Sequence, residues 1–284
     1  MKDCTASPKA DVGAVVTSSQ PRPLPRGQAT LFTQVLSSLE EFNSPYAVAG
    51  AFALREHTGI CRHTKDLDVF LTAESASKVL PRFGEKGFRY EVCDPCWLAK
   101  VHRNGYFVDL ITGMSNGVIS IDDSWIARAV PAKICGVSSR VLAPEEMLVS
   151  KLFVTRRDRF DGADIAHIVF GTRGELDWKR ILHLTGDDWE LLLWSLLLFK
   201  FIYPGHTQYV PRSLWTDLIE RVKESLANPS PSKKFRGMLI DDAMFAIDVE
   251  EWGLEDLLAE KRALCPKIQP VADTPGSSGP RRVE

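Results

Sequence analysis

No segment of this 284-residue chain is apolar over the roughly 20 residues that a bilayer-spanning helix needs. The nearest approach, residues 191–203, is about 13 residues long and contains Lys200, so it is expected as a buried core helix with no membrane partner. A dense cysteine framework is also missing. The six cysteines stand scattered at 4, 61, 93, 96, 135 and 265, which predicts free thiols and a cytoplasmic location. Cys93-Asp94-Pro95-Cys96 is a lone CxxC with only His102 nearby as a further ligand, so incidental thiols are expected there in place of zinc. Charge of one sign is absent as well, because 35 Lys and Arg against 37 Asp and Glu leave a formal net charge of −2. Nothing general then drives the chain onto nucleic acid or an anionic membrane, although a local basic patch stays open. The first 28 residues have neither apolar periodicity nor the apolar core of a secretory signal, and are expected as a flexible lead-in.

What is present is a 44% apolar composition, enough for one large packed domain or two modest ones. The informative stretch is Tyr46 to Phe70, YAVAGAFALREHTGICRHTKDLDVF. It reads as a short apolar strand, a turn at Gly50, a helix to about His57, and a second strand opening on Asp66-Leu67-Asp68. Residues two apart on a strand share a face with Cα atoms roughly 6.5 Å apart, so Asp66 and Asp68 present their carboxylates side by side. Such a pair repels itself unless a cation lies between, and Mg²⁺ takes oxygen ligands of this kind. Gly50 stands where a strand turns into a helix, so backbone amides there can approach an anionic phosphate.

A third acid, Asp109, interrupts the apolar run Tyr106-Phe107-Val108-Asp109-Leu110-Ile111, where it is costly to bury without a partner. If that strand lies beside Asp66 and Asp68, the three acids can hold two metal ions about 4 Å apart, the arrangement for in-line attack on phosphorus. An Asp-x-Asp pair alone is weak evidence, since acids at strand starts often cap turns or face solvent. Its force comes from combination with Gly50, with Arg62, which can neutralise Asp66 or Asp68 or place a phosphate, and with the third acid. The histidines at 57, 63, 102 and 167 and the tryptophans are expected in structural roles.

Ala49-Gly50-Ala51-Phe52-Ala53-Leu54-Arg55, then Arg62 and Thr64 to Asp68, then Val108-Asp109-Leu110, resemble the DNA polymerase β-like nucleotidyltransferase superfamily. Within it they are similar to small stand-alone bacterial nucleotidyltransferase-like proteins, a group that includes antibiotic-modifying and toxin-type members. The match covers about residues 45–170, and it departs from the usual paired Gly or Gly-Ser in having Ala51 after Gly50. The resemblance implies an α+β fold, a mixed sheet flanked by helices and followed by a helical domain. It further implies Asp66, Asp68 and Asp109 as catalytic metal ligands, two Mg²⁺ or alternatively Mn²⁺, and a nucleoside triphosphate held by Gly50, Ala51, Arg62, Thr64 and Lys151.

The domain organisation expected is a lead-in over 1–28, a nucleotidyltransferase-like domain over 29–143, a helical domain closing the cleft over 144–265, and a disordered tail over 266–284. Short strands are expected at 88–92, 99–102, 107–111 and within 130–141, with hairpin turns at Asn104-Gly105 and Cys135-Gly136. Helices are expected over 31–42, 75–83, from Pro144, and over 178–184, 187–203, 213–226 and 243–258. Lys151 falls near an apolar helix face, where it either snorkels to water or reaches into the cleft, and the resemblance favours the cleft. Asp161-Gly162-Ala163-Asp164 is expected to cap a helix through Asp161, beside a solvated Arg156, Arg157 and Arg159 face.

The function expected is transfer of a nucleoside monophosphate to a hydroxyl acceptor, which the residues leave open as a small molecule, an RNA or a protein. Two other readings stand beside it. One is a non-catalytic binding module of the same fold, with a toxin- or antitoxin-type partner, against which the retention of three like charges argues. The other is a glycosyltransferase using Asp-x-Asp, which would come with a longer doubly wound half.

Overall fold

Leu31, Phe32, Val35, Leu36 and Leu39 recur at helical spacing and are all buried on helix α1 (Arg26–Glu41), which starts five residues before that apolar stripe. The computed structural model of the protein describes residues 24–62, 64–229 and 234–269. Residues 1–23 of the expected lead-in, His63, the end of the 228–231 loop and the tail from residue 270 lie outside them.

The chain continues through β1 (Ala47–Val48), α2 (Gly50–Thr58), β2 (Asp68–Phe70), α3 (Ala73–Glu85), β3 (Arg89–Asp94), β4 (Leu98–Arg103), β5 (Tyr106–Ile111), α4 (Asp123–Ala127), β6 (Val130–Ile134) and β7 (Val137–Val141). The seven strands form one mixed sheet in the order β3-β4-β5-β2-β1-β7-β6. β2 runs parallel to β5 and β1 parallel to β7, while the other neighbours are antiparallel. The turns Asn104-Gly105 (φ 53° and 80°) and Cys135-Gly136 (φ 48° and 84°) both have the left-handed pairs that suit a two-residue hairpin. β2 is shorter than the sequence pattern suggests, because Asp66 lies in the bend before it. Leu67, Val69, Val108 and Leu110 are fully buried, so one face of the central strands is core and the alternate face carries the acids.

Beyond the sheet come α5 (Pro144–Lys151), α6 (Gly162–Gly171), α7 (Trp178–Thr185), α8 (Trp189–Ile202), α9 (Arg212–Ala227), α10 (Gly237–Ile240), α11 (Ala246–Glu250) and α12 (Leu257–Leu264). No helix among the described residues is long and apolar enough to cross a membrane. Three expectations are corrected here. α8 is not buried all round: Leu192, Leu196 and Phe199 face the core, but Trp194, Leu197, Phe201 and Ile202 are exposed, because only one side of the helix meets α6 and α7. The helix expected over 243–258 is two short helices, α11 and α12, broken where Gly253 takes φ 68°.

The third correction concerns the thiols, since Cys96 and Cys265 are joined in a disulfide with Cα atoms 5.8 Å apart. Two residues separated by 169 positions in sequence give no local signal of pairing, whereas the fold lays α12 against the β3–β4 turn. Arg262 on α12 reaches Asp94 Oδ2 at 2.6 Å and the Ser115 carbonyl, and the Ile268 amide donates to the Pro95 carbonyl at 2.7 Å. Ile268 is therefore buried against the β3–β4 turn, and the Gln269 amide donates to Ser77 Oγ on α3 at 2.9 Å.

Candidate active site

Parallel pairing of β2 with β5 places Asp68 directly opposite Asp109. Carboxylate oxygens of Asp66, Asp68 and Asp109 lie within 4.8 Å of one another, a donor set and spacing that suit a hard divalent cation. Each acid is held differently. Thr64 Oγ1 donates to Asp66 Oδ1 at 3.1 Å, and Gln28 Nε2 in turn holds the Thr64 carbonyl at 3.1 Å. Lys100 Nζ on β4 donates to Asp109 Oδ1 at 2.6 Å. No side-chain hydrogen bond or ion pair among the described residues reaches the Asp68 carboxylate. Burial, reinforced by the charges of Asp66 and Asp109, pushes Asp68 up to about 6 against the opposing pull of Lys151 and Arg159. Asp109 is also raised by burial, with Lys100 working against the shift.

Gly50 adjoins this cluster for a steric reason. Its φ is +57°, and a Cβ built on it would lie 1.9 Å from Asp68 Oδ2, so glycine alone allows the start of α2 to approach the acids. Opposite, the turn between α5 and α6 supplies cations. Lys151 is nine-tenths buried and its Nζ lies 2.8 Å from both Asp161 Oδ2 and Asp164 Oδ2. Arg159 joins Asp161 at 3.2 Å, and Arg62 pairs with Asp164. Burial alone would raise Asp161, but Lys151 and Arg159 together hold it below the usual carboxylate range.

These contacts sort the expected residues. A cleft of about 840 Å³ is lined by Gly50, Asp66, Asp68, Asp109 and Lys151 among others. Ala51, Arg62 and Thr64 are not part of its wall. Arg62 neutralises neither Asp66 nor Asp68, because its partner is Asp164 on α6, a contact made across 102 residues of chain that no local pattern shows. Lys151 does not snorkel, since two carboxylates satisfy it inside the fold. Asp161 occupies the N-cap position of α6 without accepting a capping hydrogen bond, its carboxylate being committed to Lys151 and Arg159. The CxxC and His102 form no metal cluster among the described residues.

Sequence reasoning passed over Lys100 and placed Arg159 on a solvated face, whereas it pairs with Asp161 at the cleft. Lys100 had a signal in principle, being the cross-strand partner of Asp109 once the Asn104-Gly105 hairpin is placed. It also passed over the far wall, where Met238, Leu239, Asp242, Leu258 and Arg262 line the cleft from segments more than 120 residues after Asp109.

A sequence model of the family described as "Nucleotidyltransferase of unknown function (DUF6036)" matches residues 30–200 of the chain. No curated protein matches it. Among solved structures, the chain is similar to the antibiotic-resistance factor ANT(2'')-Ia in solution at 17% identity, covering 63% of this chain and 94% of that one with a TM-score of 0.39. It is similar to the lincosamide antibiotic adenylyltransferase LnuA at 16% identity, covering 49% and 94% with a TM-score of 0.36. An antigenic nucleotidyltransferase-like protein from Paracoccidioides brasiliensis is 18% identical, covering 66% and 96% with a TM-score of 0.40.

Proposed function

The chain belongs to the nucleotidyltransferase family whose model spans residues 30–200, and on that footing we propose that the cleft moves a nucleoside monophosphate from a nucleoside triphosphate onto a hydroxyl group. The observation that carries this reading is the convergence of Asp66, Asp68 and Asp109 within 4.8 Å beside the cramped backbone at Gly50. The acids fit Mg²⁺, because among the described residues no side chain forms a hydrogen bond or ion pair with the Asp68 carboxylate and the donors are all carboxylate oxygens. When bound, the ion neutralises phosphoryl oxygens and makes the acceptor hydroxyl easier to deprotonate.

The remaining roles belong to the chain itself. Asp66, Asp68 and Asp109 would hold the ion, with Thr64 fixing the carboxylate of Asp66 from behind. Gly50 lets the start of α2 come close to the phosphates. Arg159, whose side chain is the more exposed partner of Asp161, takes charge building on the leaving pyrophosphate in the part first expected of Arg62. Lys151 keeps the α5–α6 turn in register beside it. The acceptor oxygen forms its bond to the α-phosphorus as the bond to the bridging oxygen of pyrophosphate breaks. Asp109 receives the hydroxyl proton, a task suited to a carboxylate whose affinity for protons burial has raised. The segment 144–265 closes the cleft and meets the acceptor.

The test is magnesium-dependent label transfer and pyrophosphate release from each α-labelled nucleoside triphosphate in cell extract. Wild type is expected to label an acceptor, and the pair Asp66→Ala/Asp68→Ala to lose the transfer. No transfer from any nucleotide, with nucleotide binding unaffected by removal of both acids, would overturn the reading.

A further inference from the structure

The three acids are not equivalent in what the protein already does for them. Lys100 and Asp109 stand directly opposite each other on β4 and β5, and cross-strand partners project to the same face with Cβ atoms about 5 Å apart. The resulting ion pair is 2.6 Å long and mostly shielded, with 24% of the Lys100 side chain and 13% of the Asp109 side chain exposed. The ring of Phe107, two residues before Asp109 on the same strand face, lies 4.0 Å from the Lys100 nitrogen and fixes it from a second side. Among the described residues no cation forms an ion pair with Asp66 or Asp68: Asp66 accepts from the neutral Thr64 hydroxyl, and Lys151 and Arg159 act on Asp68 only at longer range. The other buried cation nearby, Lys151, is spent on Asp161 and Asp164.

We propose that Lys100 is a built-in cation standing in for one of the two divalent ions that three such acids would otherwise call for, so that this cleft takes a single ion. The proposal rests on the metal-dependent reading above and deepens it. The physical reason is charge and coordination together. Three carboxylates less one ammonium leave two negative charges, which one divalent ion balances, and one Asp109 oxygen is already engaged. A second ion beside Asp109 would meet the Lys100 ammonium at close range, a like-charge contact in a half-buried site. Lys100 is thereby a positioning residue, acting through Asp109.

The experiment is a Mn²⁺ titration followed by electron paramagnetic resonance on the full chain, alone and with α,β-methylene-ATP. Wild type is expected to bind one ion per chain, Lys100→Met two, and Lys100→Arg, which restores the cation, one again. A purely structural role for Lys100 would move stability without moving this stoichiometry. Two ions on wild type would overturn the proposal by themselves, and so would a single ion on a Lys100→Met or Lys100→Gln protein with a cooperative melting transition. No ion on wild type or any variant would remove the metal reading itself, and is distinguishable from both.

Discussion

A single missing Cβ decides how close a helix start comes to three acids. Gly50→Ala puts a methyl group 1.9 Å from Asp68 Oδ2 at a left-handed φ. The backbone strain alone costs about 1 kcal/mol, and Asp68 must move as well. The variant is expected to melt a few degrees lower and to lose divalent-ion affinity about tenfold or more, which a Mn²⁺ titration and a thermal melt would show together. Asp68 also sets a pH dependence. Its folded pKa of about 6 lies above the unfolded carboxylate value, so the native state holds more protons in the interval between them. The metal-free protein is therefore expected to gain stability, by at most about 2–3 kcal/mol, as pH falls from 7 toward 4. Ion affinity should run the other way, falling about tenfold per pH unit below 6, because protons compete for the same oxygens. Melts across that range with and without Mg²⁺ should give slopes of opposite sign, and parallel slopes would contradict the assignment.

At the scale of elements, the turn from α5 into α6 is organised by charge more than by packing. Lys151, Arg159 and Arg62 surround Asp161 and Asp164, and the acid at the head of α6 serves this cluster instead of capping its helix. Lys151→Met leaves two acids facing each other without the buried ammonium between them. Removing one partner of a buried pair typically costs about 3–5 kcal/mol, and that loss should appear as a lower urea midpoint at unchanged slope. A near-neutral result would mean that Arg62 and Arg159 already balance both acids.

Over the whole molecule, the wall of the cleft facing the sheet is built from chain that lies far beyond Asp109 and past the residues matching the family model. Its clamp is the pairing of α12 with the β3–β4 turn through Cys96–Cys265 and Arg262–Asp94. Reduction, or Cys265→Ser, is expected to destabilise the fold by about 2–4 kcal/mol. It should also make the segment after residue 237 the first site of limited proteolysis. Equal melting temperatures with and without reductant would show that the ion pair and the burial of Ile268 suffice.

The sequence by itself determined the fold class, the seven strands to within about two residues, and which three acids meet. These follow from local rules: alternation on a strand, left-handed turn pairs, and the cost of an acid inside an apolar run. Gly50, too, was legible from its place between strand and helix. Partnership was not. Arg62, expected either to neutralise Asp66 or Asp68 or to place a phosphate, pairs with Asp164; Asp161 holds Lys151 instead of a helix cap, and Cys96 finds Cys265 across 169 residues. In each case the nearest group along the chain was not the nearest in space, since ion pairs and disulfides depend on distances that only the packed sheet and helices set.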